Sequence, residues 1–249
     1  MSAAPSFSEA RRRCAIVQPH YLPWIGYFEM IDRVDVFVLL DDVQFIKREW
    51  KNRNRIRKTA TALDTKWLSV PIRRQCQHGM IKDAEISDEL EWLDTHLHAL
   101  HEVYGRTPFY DDLTPWLKDV MAPLATGATL AGLNGTLLAE FCARLGIATP
   151  LIASSTLNVG GVREEKLRLI CEAVEADFYL ANNATASYVG ADFFAEKGIG
   201  FAPQDYTHPP YAQQSRGQPL PFISHLSVVD LICNHGPQSL DIIRQGRPL

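Results

Sequence analysis

A chain of 249 residues with 46% hydrophobic and 22% charged side chains has ordinary globular proportions, which exclude a mainly disordered or fibrous protein and allow a sizeable core. No apolar run approaches the ~20 residues that cross a bilayer, which excludes a membrane-spanning helix. The net charge of −4 predicts no nucleic-acid partner by itself, but residues 1–74 hold 14 Lys/Arg against 8 Asp/Glu, for +6, and the remainder carries −10, so an anion is expected in the N-terminal third.

Residues 1–12 read as a mobile leader. Arg11-Arg12-Arg13 ahead of an apolar stretch is not the start of a signal peptide, because Pro19 and Pro23 interrupt that stretch and no small-residue cleavage site follows. Cys14–Val17 predicts a buried first strand ended by Gln18-Pro19, and residues 23–31 predict a helix with Pro23 in its first turn. Val36–Leu40 predicts a second buried strand, stopped by Asp41-Asp42. Residues 46–58 are dominated by charge, and Trp67–Pro71 predicts a short strand. Four helical stripes follow: Leu90, Leu93, Leu97, Leu100 and Tyr104 before Gly105; Trp116 to Leu124 after a Thr114-Pro115 cap; Leu130 to Leu145 before Gly146; and Leu167 to Val174. Strands are expected at 150–153, 178–180 and 199–202, and short helices at 227–235 and 237–245. There is no repeat and no clear linker. The order predicts an α/β fold over 13–249, a mostly parallel Rossmann-like sheet with a helical insertion at about 88–146. Five scattered cysteines (14, 76, 142, 171 and 233) form no CxxC and suggest reduced thiols in a cytoplasmic protein.

Ligands of open α/β sheets bind beyond the carboxyl ends of the strands. Gln18, His20 and Tyr21 leave the first strand at that rim, or form a Pro-stiffened turn under Trp24 and Phe28. Asp41 and Asp42 end the second strand and could bind an ammonium, hold a metal or act as a base, or make a turn. Lys47, Trp50, Arg53, Asn54 and Arg55 belong to a stretch with seven basic residues in thirteen. There Arg forks would take the phosphate of a nucleotide, a sugar diphosphate, a phosphopantetheine arm or a nucleic-acid backbone, and Trp50 would stack, with a solvated charged face as the alternative. His208, stiffened by Pro209 and Pro210, stands between Tyr206 and Tyr211 and suits proton transfer near neutrality, or is structural. Ser227 and Asp230 resemble a helix cap, and Asn234-His235-Gly236 a helix end. His96, His98 and His101 lack the i, i+4 spacing of a zinc helix, and there is no GxSxG, P-loop or GxGxxG. No metal and no cofactor is expected.

Several of these segments together resemble the WbqC-like protein family: Gln18-Pro-x-Tyr-Leu-Pro-Trp-x-Gly-Tyr-Phe, Asp41-Asp-Val-Gln-Phe, Trp50-x-Asn-Arg-Asn, Tyr206-x-His-Pro-x-Tyr-x-Gln213, and Leu226-Ser-x-x-Asp-Leu-x-x-Asn-x-Gly236. The resemblance spans about residues 14–245. It implies a bacterial protein of surface-polysaccharide synthesis, in a family proposed to include a glycine transferase of O-antigen synthesis. Ala181-Asn182-Asn183 departs from the Ser-Gly pair that the resemblance leads one to expect, which bears on substrate more than on fold.

The expected function is therefore aminoacyl or acyl transfer to an amine, plausibly of an amino sugar. The partners would be an activated donor, on a carrier protein or tRNA for instance, and a small amine or nucleotide-sugar acceptor. His208 or one of Asp41 and Asp42 would act as base, with Gln18, Asn54 and Tyr211 orienting groups or oxyanion donors and His20 also in the catalytic set. Tyr21, Lys47, Trp50, Arg53, Arg55, Gln213, Asp230 and Asn234 would bind substrate. Two rivals are nucleotidyl transfer, since His20 and Gly26 loosely resemble an HxGH loop lacking its second His, and a non-enzymatic module that binds a nucleotide sugar or carrier protein. The residues of the two halves are expected to line one cleft.

Overall fold

A computed structural model describes residues 4–88 and 91–248. In chain order the elements are β1 (Arg13–Val17), α1 (Ile25–Arg33), β2 (Val36–Leu39), β3 (Arg53–Arg57), β4 (Thr65–Ser69), α2 (Trp92–Tyr104), α3 (Tyr110–Met121), α4 (Leu130–Leu145), β5 (Leu151–Ala153), α5 (Arg163–Ala173), β6 (Phe178–Ala181), α6 (Asn183–Ala186), α7 (Ala191–Ala195), β7 (Gly200–Pro203), β8 (Gln213–Ser215), β9 (Gln218–Leu220), α8 (Val228–His235) and α9 (Ser239–Arg244).

Five strands form one parallel sheet in the order β5-β2-β1-β6-β7. Numbered among themselves along the chain, they run 3-2-1-4-5, a doubly wound arrangement whose order reverses between β1 and β6. The strands are short continuous apolar runs because both faces of a parallel sheet are covered. Alternate residues serve two cores. Ala15, Val17, Phe37, Leu39, Phe178 and Leu180 face the larger one, with α1, the α2–α4 helices and α8. Cys14, Ile16, Val36, Val38 and Tyr179 face the smaller one, with Leu167, Ile170 and Cys171 of α5 and Phe194 of α7.

The helices α2–α4 enter between β4 and β5. Leu90 of the expected first stripe lies outside the described residues. α4 follows its sequence closely: Thr129 accepts the Gly132 N–H, the apolar stripe is buried, and Gly146 ends the helix at φ 79°. The second helix does not begin at Thr114-Pro115. It starts four residues earlier, at Tyr110, and carries Pro115 inside it; Asp111 and Asp112 in the first turn suit the positive end of the helix dipole.

The charged segment also differs from expectation. Its second half is strand β3, paired antiparallel with β4 so that Arg55 lies opposite Trp67 and Asn54 opposite Leu68. Asn54, Ile56 and Leu68 are buried. The Arg-Asn-Arg-Ile alternation was thus a period-2 signal hidden by charge.

Within the expected leader, Phe7 sets its ring edge-on to Phe178, centroids 5.3 Å apart, under the guanidiniums of Arg13 and Arg33. No helix is long and apolar enough to cross a membrane among the described residues. All five cysteines are free thiols, four of them buried.

Candidate functional site

The parallel sheet puts the ends of all five strands on one rim, and a cavity of about 480 Å³ opens there, inside the range of small-molecule sites. Gln18 follows β1, Leu40 follows β2, Asn182 follows β6 and Gln204 follows β7, and all four line it. The cavity therefore spans the point at which the strand order reverses, where doubly wound sheets take their ligands.

Two loops converge on it, and their hydrogen bonds explain much of the long first motif. The Tyr21 N–H donates to the Trp50 carbonyl at 3.0 Å. Asn54 donates to the carbonyls of Tyr21 and Leu22, at 3.1 and 2.7 Å, holding a chain turned through Leu22 at φ 42°. From α4, Asn134 donates to the carbonyls of Pro19 and Lys51, at 2.9 and 2.7 Å. Trp24 lies back over the start of α1, and Gly26 is what permits it: a Cβ there would stand 2.3 Å from the indole. The indole stacks on His225 at 4.9 Å and on His208 at 5.9 Å between centroids.

The walls combine rings with few charges. Lys51 is 3% exposed and contacts the Glu49 carboxylate. Burial pushes its ammonium down to about 8, while the adjacent carboxylate favours the charged form. His20 is pushed down to about 3, by burial first and then by the Lys51 charge, so it is neutral. Arg55 gives its Nε–H to the His225 carbonyl at 3.2 Å and has no carboxylate partner among the described residues. With Lys51 and Glu49 offsetting each other, Arg55 leaves the cavity one net positive charge, suited to an anion.

Of the residues expected to form a site, the structure brings Gln18, His20, Trp50, Asn54 and Arg55 to this cavity. The others lie elsewhere. Tyr21 is fully buried and its hydroxyl shares a hydrogen bond with His96 Nδ1 at 2.9 Å, so it is a core residue. The Asp41 N–H donates to Ser154 Oγ (3.2 Å), and its carboxylate accepts from the Ser155 N–H (2.9 Å) and Ser155 Oγ (2.8 Å) and lies 3.1 Å from Ser154 Oγ. Asp42 pairs with Lys166 at 2.7 Å; burial would raise its pKa, but the bonds from Lys166 and Ser154 outweigh this and hold it low. The two aspartates tie the end of β2 to the turn after β5 and to α5, beside the cavity walls at Leu40 and Leu167.

His208 stands behind Trp24, among Tyr211, Phe222 and His225. Its Nδ1–H donates to its neighbour's carbonyl at 2.9 Å, and burial pushes it down to about 4, below the range of an efficient base for an amine. Tyr211 and Gln213 both donate to Asp230 at 2.8 Å, Gln213 also meets the fully buried Arg57, and Asn234 bonds to the Asp230 carbonyl and the Gln214 N–H. This network is sealed inside the protein, where burial raises the Asp230 pKa. Ser227 caps α8 and Gly236 ends it, as the sequence indicates. Lys47 is exposed, and the half-buried Arg53 lies over the Trp67 ring at 4.1 Å, outside the cavity. Among the described residues no group of three His, Cys, Asp or Glu is placed to hold a metal.

Several cavity residues escaped the sequence reading, chiefly Lys51, Glu49, Tyr188, Gln204 and His225. Lys51 was one of seven basic residues in its segment, and only packing shows that it is buried. Asn182 accepts the Thr185 N–H at 2.8 Å as the cap of α6, so the Ala181-Asn182-Asn183 departure falls in the cavity wall.

The profile of the WbqC-like protein family matches residues 18–242. An uncharacterized protein of Mycobacterium tuberculosis, Rv1507c, is 33% identical over 238 residues, covering 95% of this chain and 99% of that protein. No solved structure matches.

Proposed function

The chain belongs to the WbqC-like protein family, and we propose that it is a transferase that joins an acyl or aminoacyl group to the amine of a nucleotide-linked amino sugar, for a surface polysaccharide or a related product. One observation carries this reading: an aromatic cavity with a single unbalanced cation, Arg55, at the reversal point of a 3-2-1-4-5 sheet. That is the place and the chemistry for a nucleotide.

Arg55 would take a phosphate and Trp24 or Trp50 a ring. Gln18 and Asn182 offer amides to orient the acceptor. The free amine attacks the acyl carbon, the bond to the donor's leaving group breaks, and the amine proton ends on the departing thiolate or alkoxide, giving an amide and a free thiol or alcohol. The Lys51 ammonium, itself buried, would polarise the carbonyl oxygen and stabilise the oxyanion. His20, held neutral, can accept a hydrogen bond from the attacking amine. No protein nucleophile is needed.

The test is binding and then turnover. A uridine- or thymidine-diphosphate amino sugar should raise the melting temperature, and Arg55→Gln should weaken its binding about 10- to 100-fold, the loss of one charge-assisted hydrogen bond. With an acyl or aminoacyl thioester or ester added, mass spectrometry should find the acylated acceptor, and Lys51→Met should lower kcat rather than raise KM. Binding with no acylated product from any such donor refutes the transfer.

The second reading, nucleotidyl transfer, draws support from His20 in the turn that follows β1 and from the same strand order. It requires pyrophosphate release from a nucleoside triphosphate, which acyl transfer to the amine does not need.

A further inference from the structure

Outside the cavity mouth, the outward face of the β3–β4 hairpin extends Trp50 and Arg55 of the cavity into a surface whose other residues the transfer reading does not use. Trp50 and Trp67 are 41% and 44% exposed, large areas for indoles, and their rings lie 5.3 Å apart. Arg53 lies on the Trp67 ring at 4.1 Å, and Arg55 is 5.9 Å from the Trp50 ring. Lys47 and Arg48 stand exposed on the preceding turn. Nearby Lys58 and Lys66 are paired with Asp64 and Glu102, but none of Lys47, Arg48, Arg53 and Arg55 is ion-paired among the described residues. The Arg53 Nε is buried without a hydrogen-bond partner.

We propose that this face binds single-stranded nucleic acid, with the strand running toward the cavity. Exposed indoles give π faces that any base can stack on, and unpaired cations beside them serve the phosphates, which is the recurring chemistry of single-strand grooves. Arg53 and Arg55 are two residues apart on one strand, about 6.7 Å, so they can reach successive phosphates of an extended chain. Trp50 and Arg55 also line the cavity, so platform and cavity are continuous. An acidic protein would satisfy the cations but leaves the paired indoles without a purpose. A duplex hides its base faces from them.

The inference stands on this surface and not on the transfer chemistry, and Trp67 and Arg53 are the residues to change because neither lines the cavity. The probe is a fluorescently labelled single-stranded RNA of about 12 nucleotides, within the site sizes of single-strand grooves, titrated by anisotropy beside its duplex and beside polyglutamate. The single strand should bind most tightly. Its affinity should fall with salt at a log–log slope near −2.8, about −0.7 for each of four cations, and Arg53→Gln should reduce the slope by about 0.7. Trp67→Ala should weaken binding roughly tenfold or more, and Trp67→Phe should keep most of it. Absence of saturable binding at low salt, indifference to Trp67→Ala in a folded protein, or equal binding of polyglutamate overturns the proposal. If Trp67→Ala fails to fold, the Arg53→Gln slope decides. Nucleotide-sugar binding retained in these variants separates failure of the platform from failure of the cavity.

Discussion

Replacing Gly26 by alanine tests the link between the first motif and the cavity. An added Cβ would lie 2.3, 2.4 and 2.7 Å from three ring carbons of Trp24, against the 3.5–4.0 Å at which carbons rest. The ring must move by more than 1 Å, and it carries the contacts to His225, His208 and Tyr206 at 4.9, 5.9 and 5.7 Å. Overpacking costs about 1–3 kcal/mol, and each weakened ring pair adds up to ~1 kcal/mol. Against this, alanine in a helix gains about 1 kcal/mol over glycine. The net expectation is a loss of about 2 kcal/mol, near 6 °C in Tm for a chain of this size. With Trp24→Ala already made, no ring is left to displace and Gly26→Ala should stabilise by about 1 kcal/mol. Urea unfolding of the four proteins, followed by circular dichroism because an indole is being removed, should thus give a coupling of about 2–3 kcal/mol. Additivity within ~0.5 kcal/mol would refute the clash, and with it the account of why a glycine stands two residues after this tryptophan.

Asp230→Ala removes the acceptor of Tyr211 and Gln213 and leaves Arg57 buried without a carboxylate near it; a loss of about 3–5 kcal/mol in urea is expected, and under 1 kcal/mol would deny the network its structural role. Acid should destabilise the protein before its carboxylates titrate. His20, His96 and His208 are pushed down to about 3, 4 and 4, so between pH 6.5 and about 4 the unfolded chain takes up protons that the native one refuses. Stability then rises with pH by about 1.4 kcal/mol per unit for each histidine, and a urea midpoint that is flat from pH 7 to pH 5 would contradict it. Ser154→Ala should loosen the Asp41–Asp42 tie by about 1–3 kcal/mol while leaving nucleotide-sugar affinity within threefold; a large loss of affinity would draw the aspartates back into the site.

The sheet was legible because its strands are continuous apolar runs separated by helix signals, and a parallel sheet must bury both faces. The rim was legible for the same reason: Gln18 and His20 could only leave β1 at its carboxyl end. Tyr21 was misleading. Its neighbours reach the cavity, and only the partner 75 residues away, His96, shows that it points inward. The motifs of the second half were read as chemistry because Tyr, Gln, Asp and Asn are the usual residues of sites. A sealed hydrogen-bond network uses the same residues, and local sequence cannot tell which side of the protein's surface they occupy. Lys51 failed in the opposite sense: it was one of seven basic residues in a segment read for its arginines, and nothing local set it apart as the buried one.

Asn134 belongs to α4, not to the sheet, yet its one amide group holds the carbonyls of both Pro19 and Lys51. The helical insertion is therefore the keystone of the cavity rather than an ornament on the sheet. Heat or denaturant that loosens α4 releases both loops at once, so ligand binding should vanish with the α4 amide protection and not later. An attempt to shorten this protein to its five parallel strands would keep a scaffold and lose the clasp that holds two loops of the cavity together.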